Sequence, residues 1–294
     1  MPALRLIVGF SPGSASDDIA NLIAAPLGAQ LGRAVTIERI AGDSGTLGAQ
    51  AAALSAADGN TLFIATLGTH ALAPHVRKQL PYDVLRDFTP VSLLTQSPML
   101  LACNPALPVR DAQQFIAYAR AHPEVLAYGT SAIGGAPHLA CELFQSITGV
   151  QLHHSRYEET QKLYADLEAG RIALSFNNIM SMLPRCNSGK LRALGVTSFQ
   201  RLQVAPHIPT LAECGVQQCE VSNWVGLVAP AGTPAAMVDN MAKAAASTMN
   251  SNTVAATLNA AGVTPCGTMP AEFARFIASE LNRWKPVMAR FAQA

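Results

Sequence analysis

Gly9-Phe10-Ser11-Pro12-Gly13-Ser14-Ala15-Ser16-Asp17 and Gly129-Thr130-Ser131-Ala132-Ile133-Gly134-Gly135-Ala136-Pro137-His138 are built alike. Each is a glycine- and hydroxyl-rich stretch that follows an apolar strand and opens a helical pattern. The first amides of a helix have no intrahelical acceptor and sit at the positive end of its dipole, while glycine lets backbone approach a ligand closely. Such a loop grips a small anion. Two of them predict a site shared by two lobes.

Working outward from these loops, short apolar runs alternate with helical patterns. Strands are predicted at 4–10, 35–38, 61–66, 99–103, 125–128, 172–176 and 191–197, an α/β succession. After the first loop, Ile19, Leu22, Ile23, Leu27 and Leu31 recur at helical spacing, and Ser14-x-x-Asp17 has the form of a capping box. The helix after the second loop is expected to start near Pro137, where a missing N–H is harmless. Turn-rich stretches at 104–108 and 222–224 divide the chain into lobe 1 (1–103 and 225–294) and lobe 2 (104–224), with hinges near 103–105 and 222–226. Amphipathic helices are expected at 234–249 and 270–291.

With 20 Lys and Arg against 19 Asp and Glu, a net charge of +1, no basic face for nucleic acid or polybasic membrane patch is implied. The apolar runs are strand-sized, too short for a bilayer-spanning helix. Strand residues begin at Leu4, leaving no room for a secretory leader, so the chain is either cytoplasmic or has had its leader removed. The six cysteines show no CxxC pair and no zinc-type spacing, so no metal or cofactor is expected. Cys214 and Cys219 either close a small disulfide loop or stand as buried thiols.

At this point the residues resemble a known family, the periplasmic solute-binding receptors of tripartite tricarboxylate transport, also called Bug or TctC proteins. The resemblance runs through 10–17, Gly42-Asp43-Ser44-Gly45-Thr46-Leu47-Gly48, Asp58-Gly59-Asn60-Thr61-Leu62, Leu80-Pro81-Tyr82-Asp83, Asp87-Phe88-Thr89-Pro90-Val91-Ser92, 128–139, Pro209-Thr210-Leu211-Ala212-Glu213 and Trp224-Val225-Gly226. It implies a two-lobed α/β fold of the periplasmic-binding-protein type II, with a cleft between the lobes. It further implies capture of a small organic carboxylate, delivery to membrane permease subunits, export to the periplasm, no catalysis and a monomeric receptor. By this similarity the cleft is lined by Phe10, Pro12, Gly13, Ser14, Ser16 and Asp17 from the first loop, and by Thr130, Ser131, Ala132, Gly134 and His138 from the second. Thr66 and Thr69 of a third turn, with Arg156, Tyr157 and Asn177, complete the expected set.

The chain departs from that family at informative places. Ser14 stands where a second glycine is usual, Arg156-Tyr157-Glu158-Glu159 replaces a Pro-Tyr-Lys-Gly stretch, and Asn177 follows Phe176 where an aspartate is usual. Losing a lysine and gaining two carboxylates makes the site less welcoming to a citrate-like ligand. A monocarboxylate, or a carboxylate with a hydroxyl or amine at its far end, is expected to outcompete citrate. Arg156 can compensate one of the glutamates.

Gly9-Phe10-Ser11-Pro12-Gly13 fits the G-x-S-x-G elbow of an α/β hydrolase with Ser11 as nucleophile, but Pro12 lacks the backbone N–H that the oxyanion hole requires. A ligand-sensing effector domain of a transcription regulator would need a basic DNA-binding segment, and none precedes Leu4. Gly42, Gly45 and Gly48 are spaced GxxGxxG, not as a dinucleotide fingerprint. Asp17 is expected to accept loop amides and His138 to be neutral. The adjacent His153 and His154 alternate faces, and Trp224 is expected in the core.

Overall fold

Leu4-Arg5-Leu6-Ile7-Val8 makes the first strand, β1 (Leu4–Val8), in which only Arg5 is exposed. Such a nearly continuous apolar run suits a parallel strand covered on both faces. The computed structural model describes residues 2–122, 126–131 and 134–291. The expected strand start at Val125 and the loop residues Ala132 and Ile133 lie outside them.

From β1 the chain enters α1 (Ala15–Leu31), capped by Ser14 and ended by Gly32 in the left-handed conformation (φ 64°). It returns as β2 (Val35–Arg39), passes a 3-10 turn at Asp43–Gly45 into α2 (Thr46–Ala53), and forms β3 (Thr61–Thr66), buried at every residue. A π-type turn at Gly68–Leu72 and the short α3 (Ala73–Val76) lead to β4 (Phe88–Cys103). Gly9 and Gly48 let two backbones touch: a Cβ on Gly9 would lie 2.7 Å from Gly45 O, and one on Gly48 would lie 2.7 Å from Gly9 Cα. This close crossing fixes the first loop against the start of α2.

The second stretch runs α4 (Ala112–Ala121), β5 (Ala127–Thr130), α5 (Ala136–Thr148), β6 (His153–Arg156), α6 (Thr160–Glu168), β7 (Leu174–Asn178), α7 (Ile179–Asn187) and β8 (Arg192–Val196). The chain then makes β9 (Ser222–Pro230), α8 (Ala235–Met249), α9 (Asn252–Ala260), β10 (Thr264–Pro265) and α10 (Pro270–Phe291).

Two units divide these elements: Met1–Gln96, Trp224–Leu258 and Thr264–Ala294 form unit 1, and Ser97–Asn223 with Asn259–Val263 forms unit 2. In unit 1 the strand order is β2-β1-β3-β9-β4, with β1 parallel to β2 and β3, and β9 antiparallel to β3. In unit 2, β7 and β8 flank the last residues of β4, and β5 lies between β7 and β6, parallel to both. The core of unit 2 gathers Phe115, Phe144 and Phe176.

The chain first passes from unit 1 to unit 2 between Gln96 and Ser97, within β4. β4 is one unbroken strand of 16 residues, whose first part Pro90 and Pro98 hide from a sequence reading. A further short piece, 259–263, also belongs to unit 2. All six cysteines are free thiols, so Cys214 and Cys219 are not bridged. Among the described residues no helix is long and apolar enough to cross a membrane.

Candidate functional site

In unit 1 the first loop is held by its own helix. Ser14 adopts extended backbone (φ −77°, ψ 157°) and its Oγ accepts the Asp17 amide at 3.3 Å. Asp17 Oδ2 reaches back, not to the amide of the cap residue but one position earlier, to Gly13 N–H at 3.2 Å. Gly13 has φ 77°, a conformation suited to glycine. The Ser14 amide instead donates to Ser11 O at 3.2 Å, which is how Ser11 enters the loop.

Asp17 is 3% exposed and heavily partnered. Its Oδ1 accepts from Arg39 Nε at 2.6 Å and its Oδ2 from Asn21 Nδ2 at 3.1 Å. Asp17 therefore organises the loop, while the opening amides of α1, at Ala15 and Ser16, have no acceptor within the helix. Ser16 Oγ lies 3.2 Å from Ser14 Oγ. Phe10 lays its ring against Gly45, where a Cβ would meet Phe10 Cζ at 2.7 Å, and Pro12 is exposed at the loop tip. Burial and the neighbouring Asp17 charge raise the carboxyl pKa of Asp18 above its ordinary value.

Thr66 and Thr69, expected as a third wall, are buried and engaged with each other. Thr66 N–H donates to Thr69 Oγ1 at 3.0 Å, and that hydroxyl lies 3.0 Å from His70 Nδ1. Tyr82 OH donates to Thr69 O at 2.8 Å. His70 sits among Phe63, Tyr82 and Phe88, where burial pushes its pKa down to about 3 and keeps the ring neutral.

In unit 2 the second loop joins the carboxyl end of β5 to α5, whose N-terminus is capped by Gly135 with Pro137 in the first turn. Gly134 has φ 73°, and its amide donates to His138 Nδ1 at 3.3 Å, so His138 holds the loop as an acceptor. That bond requires the unprotonated ring, in keeping with burial lowering its pKa against the opposing pull of Glu142. Behind the loop, Thr130 Oγ1 lies 2.7 Å from His154 Nε2, and the His154 ring stacks on Tyr128 at 4.7 Å. Tyr128 OH in turn donates to Glu142. Burial first, with the neighbouring His138 ring acting in the same direction, drives the pKa of His154 down to about 4. Ser131 follows Thr130 at the loop's start and is partly exposed.

Of the remaining expected residues, Tyr157 donates its hydroxyl to Asp166 Oδ2 at 2.9 Å, and Arg156 is exposed at the end of β6. Asn177 stands buried near the end of β7, its Oδ1 accepting Asn178 N–H at 3.0 Å. Glu158 and Glu159 are exposed on the following turn. Sequence reasoning did not name Arg39 or the Tyr128–Glu142 pair, and took His154 only as one of two alternating rings. Each owes its role to a partner distant in sequence, which periodicity does not reveal. Trp224 is fully buried, donating through Nε1 to Glu280 at 3.1 Å. Among the described residues no group of three His, Cys, Asp or Glu could hold a metal ion.

Residues 19–292 match the model of the tripartite tricarboxylate transporter family receptor. Protein BugT of Bordetella pertussis is 33% identical over 286 residues, spanning 97% of this chain and 88% of that protein. Among solved structures, Rpa4515 of R. palustris with adipate is 35% identical with a TM-score of 0.94, covering 99% of this chain and 97% of the other. MatC of Rhodopseudomonas palustris with bound malate is 30% identical with a TM-score of 0.92, covering 97% and 98%. The two-lobed periplasmic-binding-protein fold is thus shared along almost the whole length, and the chain belongs to the tripartite tricarboxylate transporter receptor family.

Proposed function

We propose that this protein is a periplasmic solute receptor that takes a small organic carboxylate into a cleft between its two units and presents it, unchanged, to a membrane permease. The observation that carries the reading is that each unit ends a parallel strand in a glycine loop leading into a helix N-terminus, α1 of 17 residues in one and α5 of 13 in the other. Helix-opening amides complement a carboxylate without a dedicated basic side chain. Relatives bound to adipate and to malate support the ligand class. Nothing in the reading calls for a cofactor, and a single copy suffices.

Hydrolysis at Ser11 is disfavoured because Pro12 has no N–H to offer an oxyanion. The exposed Glu158 and Glu159 act as solvent-screened charges and favour acids with fewer ionised groups than citrate. A thermal-shift screen across mono-, di- and tricarboxylic acids tests the proposal. A ligand at a hundred times its dissociation constant adds about 2.7 kcal/mol of stability, which for a chain of this size raises the melting temperature by roughly 5 °C or more. At least one small acid is expected to do so and to be recovered intact. No shift with any acid, or conversion of the acid, would contradict it.

A further inference from the structure

We infer that Asn177 selects the group an acid carries beside its carboxylate, requiring an oxygen that accepts a hydrogen bond and rejecting an ammonium. The inference rests on the carboxylate reading above. Asn177 occupies the next-to-last position of β7, in the same parallel set as β5 and β6. The second loop and Arg156 leave this set at the same carboxyl end, the end at which open α/β sheets bind ligands.

The orientation of the Asn177 amide is fixed. Its Oδ1 accepts the Asn178 amide at 3.0 Å, and turning the group over would set two donors face to face. Its Nδ2 is then committed to one direction, is buried, and has no hydrogen-bond partner among the described residues, in a residue only 7% exposed. The neighbouring Asn178 shows the ordinary outcome. Its Nδ2 donates to Ser97 Oγ at 2.8 Å and its Oδ1 accepts Met180 N–H at 2.9 Å.

A buried donor without an acceptor is rare and costly. The group that satisfies Asn177 Nδ2 is therefore a hydroxyl or carbonyl oxygen of the ligand. An ammonium has only hydrogens to present, and would leave two donors opposed. Arg156, exposed and without an ion pair among the described residues, adds positive charge at the end of β6. It opposes an ammonium there as well.

Calorimetric titration of the full chain with two matched pairs, malate against aspartate and 2-oxoglutarate against glutamate, tests the inference alongside the simple monocarboxylates of the screen. The wild type is expected to bind the oxygen member of at least one pair tenfold or more tighter than its amino counterpart, as sites built around a hydrogen bond discriminate. Asn177→Asp, which turns the donor into an acceptor, is expected to move that ratio tenfold or more toward the amino acid. Asn177→Ala is expected to bring it toward parity. Because the ratio is taken within one variant, a loss of stability in either does not imitate the effect. An unchanged ratio in both variants, a wild-type preference for the amino acids, or binding confined to acids with no second oxygen function would each overturn the role of Asn177 while leaving the receptor reading intact. If no carboxylic acid binds at all, the receptor reading fails and this inference falls with it.

Discussion

Asp17→Ala is expected to weaken carboxylate binding about 100-fold, because it removes the order of the first loop and not a ligand contact. The side chain is nearly buried and joins three groups: Gly13 N–H, Asn21 Nδ2 and the Arg39 guanidinium. Truncation orphans the Gly13 amide, deprives Arg39 of a partner at 2.6 Å and removes a negative charge from a helix N-terminus. Together these cost about 1–3 kcal/mol of stability, since the carboxylate is buried but Arg39 reaches solvent, which weakens the ion pair's share. Asp17→Asn keeps an acceptor for Gly13 but loses the ion pair, and a loss of about tenfold is expected. Calorimetry on both variants with the best acid of the screen checks this. A folded Asp17→Ala protein with wild-type affinity would show that the loop keeps its shape unaided.

Glu280→Leu is expected to be the most destabilising single change in unit 1 outside the loops, at about 3–5 kcal/mol. One carboxylate oxygen, Oε2, accepts both Trp224 Nε1 and Trp284 Nε1 at 3.1 Å, and Glu280 is 6% exposed. Leucine fills the space but leaves two buried indole N–H groups without an acceptor. Trp224 is packed edge-on against Phe273 and Phe276, so it cannot swing out to water without dismantling that cluster. Glu280→Gln retains one acceptor oxygen and should cost about 1–2 kcal/mol. Thermal melts separate the cases, with a fall of roughly 10 °C for the leucine variant. A leucine variant that melts within a degree or two of wild type would mean that the buried carboxylate is itself an equal burden.

The residues that follow a local rule were legible in the sequence. Ile19, Ile23 and Leu27 mark the buried face of α1, Ser14 its cap, and the apolar run 61–66 a strand buried at every position. What escaped depends on partners brought together by the fold. Nothing near Arg39 in the chain says that it will close on Asp17, and nothing near His154 says that it will stand behind Thr130. The capping box was read correctly in kind but shifted in detail, because Ser14 N–H is already taken by Ser11 O and the carboxylate turns to Gly13. Strand β4 was half hidden by Pro90 and Pro98, residues that an unbroken strand rarely carries, so only its last part was expected. The named position Asn177 came from resemblance alone, and only its bonding partners distinguish an engaged amide from an open one.

The most direct test of the proposed carboxylate grip by helix-opening amides is a backbone amide NMR titration with the best acid of the screen. Large shifts are expected in two clusters, Gly13 to Asp17 and Ser131 to His138, with the same saturation curve. The neutral amide of the same acid should move neither. Shifts confined to one unit, or equal shifts with the neutral amide, would contradict the shared grip.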